Sequence, residues 1–325
     1  MNAAAISTRR WNHLLLCVLL FASMLWIALP LGAEESANPE LSPVMLRLKE
    51  MEAYKNHNFK EALDIYQQLL LDTKNTSQTT PTDLGRAIVC LAQLSRLKET
   101  DMLLEKTVEV HADNWKMLRE AATIYKDKLL NHDGVLVEGK FERGSHRGQD
   151  KYANAVDRDR VRALQLYVQA MKAAEKTKAT KDDGLSDLYK EMELALQMGR
   201  SGQNNSWELQ TLSDLTTLPD YEEGYHYGRG GGTQGAPVNE KGNPVFYNVP
   251  QSFESAQNDG ERWRWCLDKM VRLDAGRRNY ANSRLADFLR QQFDVQTLAE
   301  YSWFKRAPSD DDKKDESGTY AMHTL

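Results

Sequence analysis

The chain has no surplus of positive charge. Its 42 Lys and Arg stand against 47 Asp and Glu over 325 residues, a formal net charge of −5. Without a basic excess it cannot neutralise a run of phosphates, which excludes nucleic acid as a partner. Cysteine is scarce, three residues in all, with no Cys-x-x-Cys pair, and the seven histidines form no His-Glu-x-x-His. A metal site is therefore not expected, and neither is a cofactor. His132, Asp133 and His226 read as surface loop residues. No nucleophile, base and orienting group, and no close carboxylate pair, can be placed by spacing, so the chain reads as a non-enzyme.

What is present begins with an address. Arg9 and Arg10 precede a nearly unbroken apolar run, Leu14 to Leu29, and Leu31-Gly32-Ala33 then puts small residues before Glu34-Glu35. This is the pattern of an export signal over residues 1–33, cleaved after Ala33, giving a periplasmic or secreted product. Left uncleaved, residues 14–29 would serve as a membrane anchor, the one route to a membrane in this sequence. Cleavage removes two arginines and no acid, taking the net charge from −5 to −7. It also removes Cys17. Cys90 and Cys266 remain, and their apolar helical settings favour two buried thiols over a bridge.

With 41% hydrophobic residues the mature part can bury a real core. Glu61-Ala-Leu-Asp-Ile-Tyr-Gln-Gln-Leu-Leu70 and Arg162-Ala-Leu-Gln-Leu-Tyr-Val-Gln-Ala-Met171 share small, apolar and Tyr positions 101 residues apart. That offset is close to three times the 34-residue tetratricopeptide period. Ala62 and Ala163 fit the helix crossing, Tyr66 and Tyr167 the plug to the next pair, and Phe59 the inter-helix corner. Trp115, Leu118, Ala121, Ala122 and Tyr125 have the spacing of a first helix. The spacing predicts an all-α fold, a tetratricopeptide-like helical array over 34–218, interrupted by a long insertion loop at 129–157. The signature residues are incomplete: the helix from Leu46 lacks the usual Trp and Leu-Gly, and Leu84 to Val110 keeps only the apolar period.

Trp207 to Leu218 reads as a short helix closed by Pro219. A Gly-, Pro- and Tyr-rich strap follows over 219–257. Its Gly228-Arg-Gly-Gly-Gly-Thr233 lacks both the Gly-Lys-Ser/Thr ending and the preceding strand of a phosphate loop. Asn239 to Gly242 is a turn signal, and Pro244 to Val249 a short extended run that allows a small hairpin. Asn258 caps a helix with Glu261 three residues on, opening a set of C-terminal helices over 258–305. On its first helix Trp263, Cys266, Leu267, Met270 and Val271 share a face, and Trp265 points away from it. The candidate residues for partner binding or strap packing are Tyr225, Tyr227, Arg229, Phe246, Tyr247 and Trp265, with the strap folded back over Trp265. An acidic tail, 306–325, is expected to be disordered.

Tyr221-Glu-Glu-Gly, Gly228-Arg-Gly-Gly-Gly-Thr-Gln-Gly-Ala-Pro-Val, Asn243-Pro-Val-Phe-Tyr, Asp259-Gly-Glu-Arg-Trp-Arg-Trp and Ala286-Asp-Phe-Leu-Arg-Gln-Gln-Phe are carried together on this chain. In these stretches it resembles the N-terminal region of large exported bacterial alpha-2-macroglobulin-like proteins. The resemblance implies a helical leader ahead of macroglobulin β-sandwich domains, with the present chain a fragment that ends before them. It further implies downstream macroglobulin domains or proteases as partners. The family's Cys-x-Glu-Gln thioester has no counterpart, since Cys90-Leu-Ala-Gln93 has Ala92 where Glu is required, and no functional residue carries over. The expectation is an exported, non-catalytic scaffold for protein or peptide. The alternative is an envelope enzyme or processing factor with its site at the 129–157 and 224–250 loops.

Overall fold

The computed structural model of the chain describes residues 43–73, 80–126, 132–144, 151–198, 209–224, 241 and 246–292. It divides into two compact units after Leu48. The described part of the first is the opening of helix α1 (Pro43–Lys55). The second unit, from Lys49, holds the rest of α1 and α2 (Phe59–Leu71), α3 (Thr80–Gln93), α4 (Thr100–Val110), α5 (Trp115–Lys126), α6 (Val156–Lys176), α7 (Leu185–Gln197), α8 (Asp259–Leu273) and α9 (Arg278–Gln292).

The apolar residues that recur every three or four positions are the ones that become buried. Ala62, Leu63, Tyr66, Leu69 and Leu70 form the inner face of α2, and Trp115, Leu118, Ala121, Ala122 and Tyr125 that of α5. Asn114 begins α5, its side chain accepting from the backbone N–H groups of Lys116 and Met117. Helices α2 and α3, α5 and α6, and α7 and α8 lie against one another as neighbours. Tyr66 and Tyr167 are both fully buried. The edge of Tyr66 meets the Tyr54 ring at 6.2 Å, and the Tyr167 hydroxyl lies 3.1 Å from that of Thr123.

The protein is mostly helical, but it is not all-α. Where a long loop is expected between Leu129 and Asp157, the chain forms β1 (Asp133–Val137), β2 (Lys140–Arg143) and β3 (Lys151–Asn154). With β4 (Glu222–Glu223) they make an antiparallel sheet in the order β2-β1-β3-β4. The pairing of Val137 with Lys140 leaves a two-residue turn, Glu138-Gly139, with φ of 50° and 79°. Two consecutive positive φ values match the right-handed twist of the flanking strands, which is why such turns close hairpins. A Cβ on Gly134 would stand 2.3 Å from the Glu142 carbonyl oxygen and 2.7 Å from the Phe141 ring, so only glycine lets that ring lie across β1.

A second departure concerns the expected helix over 207–218. Trp207 lies outside the described residues. Leu209 and Gln210 form a short helical turn, and residues 211–220 run on without regular structure. Their polar groups are bonded elsewhere: the Thr211 carbonyl accepts from the Asp259 N–H, and Ser213 donates to Asp259 through both its N–H and its hydroxyl. Asp214 accepts from Thr216 and Thr217 in a local turn that competes with helix.

Candidate functional site

The hairpin meets the helices at a pocket of about 240 Å³. Arg143, at the end of β2 and 3% exposed, donates to Asp101 of α4 at 2.7 and 3.3 Å and to Asp159 of α6 at 2.7 and 2.9 Å. Burial alone would lower the pKa of this guanidinium, but Asp159 and Asp101 hold it above the ordinary arginine value. His132, entering the hairpin, sets its Nδ1 2.7 Å from Asp159. A second knot lies beside the first. Arg162 donates to Glu105 at 2.6 and 2.8 Å, and the Tyr125 hydroxyl donates to the same carboxylate at 2.7 Å. Burial, reinforced by Glu105, holds the Tyr125 hydroxyl far above the ordinary phenol value, so it stays a donor at every physiological pH.

The outer wall is aromatic. Phe141 of β2 and Tyr221, just before β4, stack at 4.4 Å with planes 13° apart. The Arg143 guanidinium lies 5.4 Å from the Phe141 ring centre, and that of Arg158 lies 4.7 Å from Tyr221. Arg158 also donates to the Pro219 carbonyl at 2.7 Å, and Leu218 completes the rim. Tyr221 belongs to the Tyr-Glu-Glu-Gly stretch, and the two glutamates that follow it are β4.

The Asp259-Gly-Glu-Arg-Trp-Arg-Trp stretch builds a different structure, a clasp at the start of α8. Asp259, 1% exposed, accepts from Arg160 Nη2 at 3.1 Å, from Arg262 Nη1 at 3.0 Å and from the Ser213 N–H at 3.2 Å. Gly260 packs under Tyr247, where a Cβ would stand 2.4 Å from three ring carbons. Trp263 is fully buried and donates through Nε1 to Glu193 of α7 at 2.9 Å. Asn258 caps α8 as the sequence predicts, accepting from the Glu261 N–H at 2.8 Å, while the Glu261 carboxylate accepts from the Gln257 N–H.

Of the candidate partner-binding residues, the structure describes Phe246, Tyr247 and Trp265. Tyr225, Tyr227 and Arg229 lie outside the described residues, as does His226. Phe246 is 61% exposed and Tyr247 is buried; together they line a cavity of about 240 Å³ with Arg264, Leu285, Phe288 and Leu289. Trp265 is elsewhere and is not turned to solvent. It is 6% exposed, with its ring meeting Tyr189 at 5.6 Å and Phe253 at 5.8 Å. Helix α8 is covered on this second face as well: the 219–257 strap lies over Trp265 through Phe253, as expected, and helix α7 adds Tyr189, which local spacing does not announce.

Sequence reasoning missed Arg143, Arg158, Asp159 and Arg162. The available signal was the hairpin: Glu138-Gly139 between alternating strands marks a fold with a base, and Arg158, Asp159 and Arg162 stand on the first turns of the helix that follows. His132 and Asp133 are corrected with it, since Asp133 is buried on β1 and His132 is paired. Among the described residues no group of His, Cys, Asp and Glu is arranged to hold a metal, and no helix is long and apolar enough to cross a membrane. No family model matches the chain, and no curated protein or solved structure matches it.

Proposed function

We propose that the chain is an exported, non-catalytic scaffold of tetratricopeptide-like repeats that binds protein or peptide, in the manner of the leader region it resembles in bacterial alpha-2-macroglobulin-like proteins. The observation that carries this reading is Phe246. A large aromatic standing 61% exposed beside an apolar hollow of about 240 Å³ is the combination from which binding hot spots are made. The equivalent burial of Tyr66 and Tyr167 supports the repeat reading. Downstream macroglobulin domains and proteases are the partners that the resemblance supplies.

The test places a photo-crosslinking p-benzoylphenylalanine at position 246 in the full chain. A discrete adduct is expected, lost on Leu289→Asp and not formed from the same group at Leu212, which is 49% exposed on another segment. No adduct, or one indifferent to Leu289→Asp, overturns the reading. Export is tested separately: N-terminal sequencing of the fractionated protein should begin at Glu34, and a cytoplasmic product that keeps Met1 refutes it.

One observation favours the alternative, an envelope enzyme or processing factor. His132 Nδ1 contacts Asp159, the kind of contact that orients a general base. Asp159 also accepts two hydrogen bonds from Arg143, so both its oxygens are already engaged where His132 meets it. A hydrolytic activity abolished by His132→Ala, with the fold intact, would establish that alternative.

A further inference from the structure

The hairpin pocket shares no lining residue with the Phe246 cavity, and the class of its occupant follows from which of its charges already have partners. Three guanidinium groups and three carboxylates line it. Arg143 is saturated by Asp101 and Asp159, and Arg162 by Glu105, through hydrogen bonds of 2.6 to 3.3 Å. Arg158 differs from both. It donates a single hydrogen bond, from Nη1 to the Pro219 carbonyl, and among the described residues no carboxylate lies within ion-pair distance of it. Its guanidinium is nonetheless held in place, stacked on a Tyr221 ring that is itself stacked on Phe141. An arginine fixed in plane, half-buried, with a donor edge left over beside a cavity, is preorganised for a planar anion.

We propose that this pocket binds a carboxylate, received edge-on by Arg158 against the Tyr221 ring. Two parallel N–H groups on a guanidinium match the two oxygens of a carboxylate. Leu218 and the rings of Tyr125 and Tyr221 provide apolar wall for the short carbon stem behind it. The lining charges sum to zero, so one further negative charge is tolerated. A phosphate dianion would meet Asp101, Glu105 and Asp159 with twice that charge, and like charges held close are costly. The volume, about 240 Å³, admits one side chain or one chain terminus and no more. The carboxylate is therefore either that of an acidic side chain or that of a peptide C-terminus.

The test is a titration of the full mature chain, followed by NMR at the arginine Nε–H signals, with the Arg158 signal assigned by its loss in Arg158→Lys. Two probes separate the sources: Ac-Gly-Glu-Gly-NH2, whose only carboxylate is a side chain, and Ac-Gly-Gly-Ala, whose only carboxylate is terminal. Inorganic phosphate and Ac-Gly-Gln-Gly-NH2 are the controls. One of the two acids should shift the Arg158 signal saturably, and Arg158→Gln should weaken that binding about tenfold, the loss of one charge-assisted contact. The proposal is overturned if neither acid produces a saturable shift, if phosphate or the Gln peptide shifts the signal equally, or if a folded Arg158→Gln binds as the parent does. Should Arg158→Gln not fold, the titration of the parent chain decides alone. The Phe246 reading is untouched by any of these outcomes.

Discussion

Arg160 and Asp259 stand 99 residues apart in sequence and meet in a buried ion pair of 3.1 Å. Asp259 opens α8 and Arg160 lies in the first turns of α6, so the pair ties the C-terminal helices to the helical array. Ser213 lies between them, its hydroxyl accepting from Arg160 at 2.9 Å and donating to Asp259. One carboxylate thus fixes three segments that local sequence leaves independent. Asp259→Ala takes the close carboxylate from two buried guanidinium groups, leaving Arg160 with Ser213, the Leu196 carbonyl and Asp157 at 4.0 Å, and Arg262 with the Ser213 carbonyl. It should cost about 3 to 5 kcal/mol in urea denaturation, as removal of one partner from a buried pair does. Ser213→Ala should cost about 0.5 to 1.5 kcal/mol. An Asp259→Ala loss below about 1 kcal/mol would mean that the clasp does not hold the segments together.

Tyr247 and Gly260 provide a sharper test of how the strap is seated. With three ring carbons 2.4 Å from where a Cβ would be, Gly260→Ala must push Tyr247 off α8. The expected cost is about 1 to 3 kcal/mol from overpacking. Tyr247→Ala should be costly alone, yet make Gly260→Ala nearly harmless, so that the double mutant is less destabilised than the sum of the singles. A double-mutant cycle with additive costs would place Tyr247 elsewhere in solution.

The helices were legible because their evidence is local. The period of Ala62, Tyr66 and Leu70, the Trp115 to Tyr125 face and the Asn258 cap all became what they spell. The β1–β2 hairpin is local and carried a signal in Glu138-Gly139, but one of the sheet's three pairings is remote: β4 is two residues long and finds β3 about 70 positions earlier, with Asn154 opposite Glu222. The same holds for the 211–218 segment, where bonds to Asp259 replace helical ones, and for the part of the Trp265 cover that Tyr189 brings from another helix. The hairpin pocket joins α4, α5, α6, β2 and the 218–221 segment, a convergence that no spacing within one element announces.

Tyr66 and Tyr167 test the repeat reading through energetics. Both are fully buried, on α2 and α6, and truncation of either to Ala should cost about 2 to 5 kcal/mol. Tyr167→Phe isolates the hydroxyl shared with Thr123 and should cost about 0.5 to 1.5 kcal/mol. If both truncations cost less than about 0.5 kcal/mol, the two tyrosines are not plugs of equivalent helix pairs.

Cys90 and Cys266 give a prediction with a definite pH window. Cys90 on α3 and Cys266 on α8 are buried and unbridged. Burial, with a smaller push from Glu50, raises the Cys90 thiol from the ordinary value of 9.0 to about 11. Burial, with a push from Glu193, lifts Cys266 well above its ordinary value. At pH 8 the thiolate fraction of Cys90 is then about one in a thousand, and the thiolate is the reactive form. DTNB should label neither thiol in the native protein prepared as residues 34–325 and both after unfolding in guanidinium chloride. The sign of the linked stability follows from the direction of the shift. A group whose pKa is higher folded than unfolded contributes stability that is full below the unfolded value and lost as pH rises through the folded one. Denaturation midpoints should therefore fall between about pH 9 and pH 11, and Cys90→Ala should flatten part of that fall. Rapid labelling of a thiol in the native protein at pH 8, or a mass two units low from an internal disulfide, would show that the helices around these cysteines open far more readily than their packing implies.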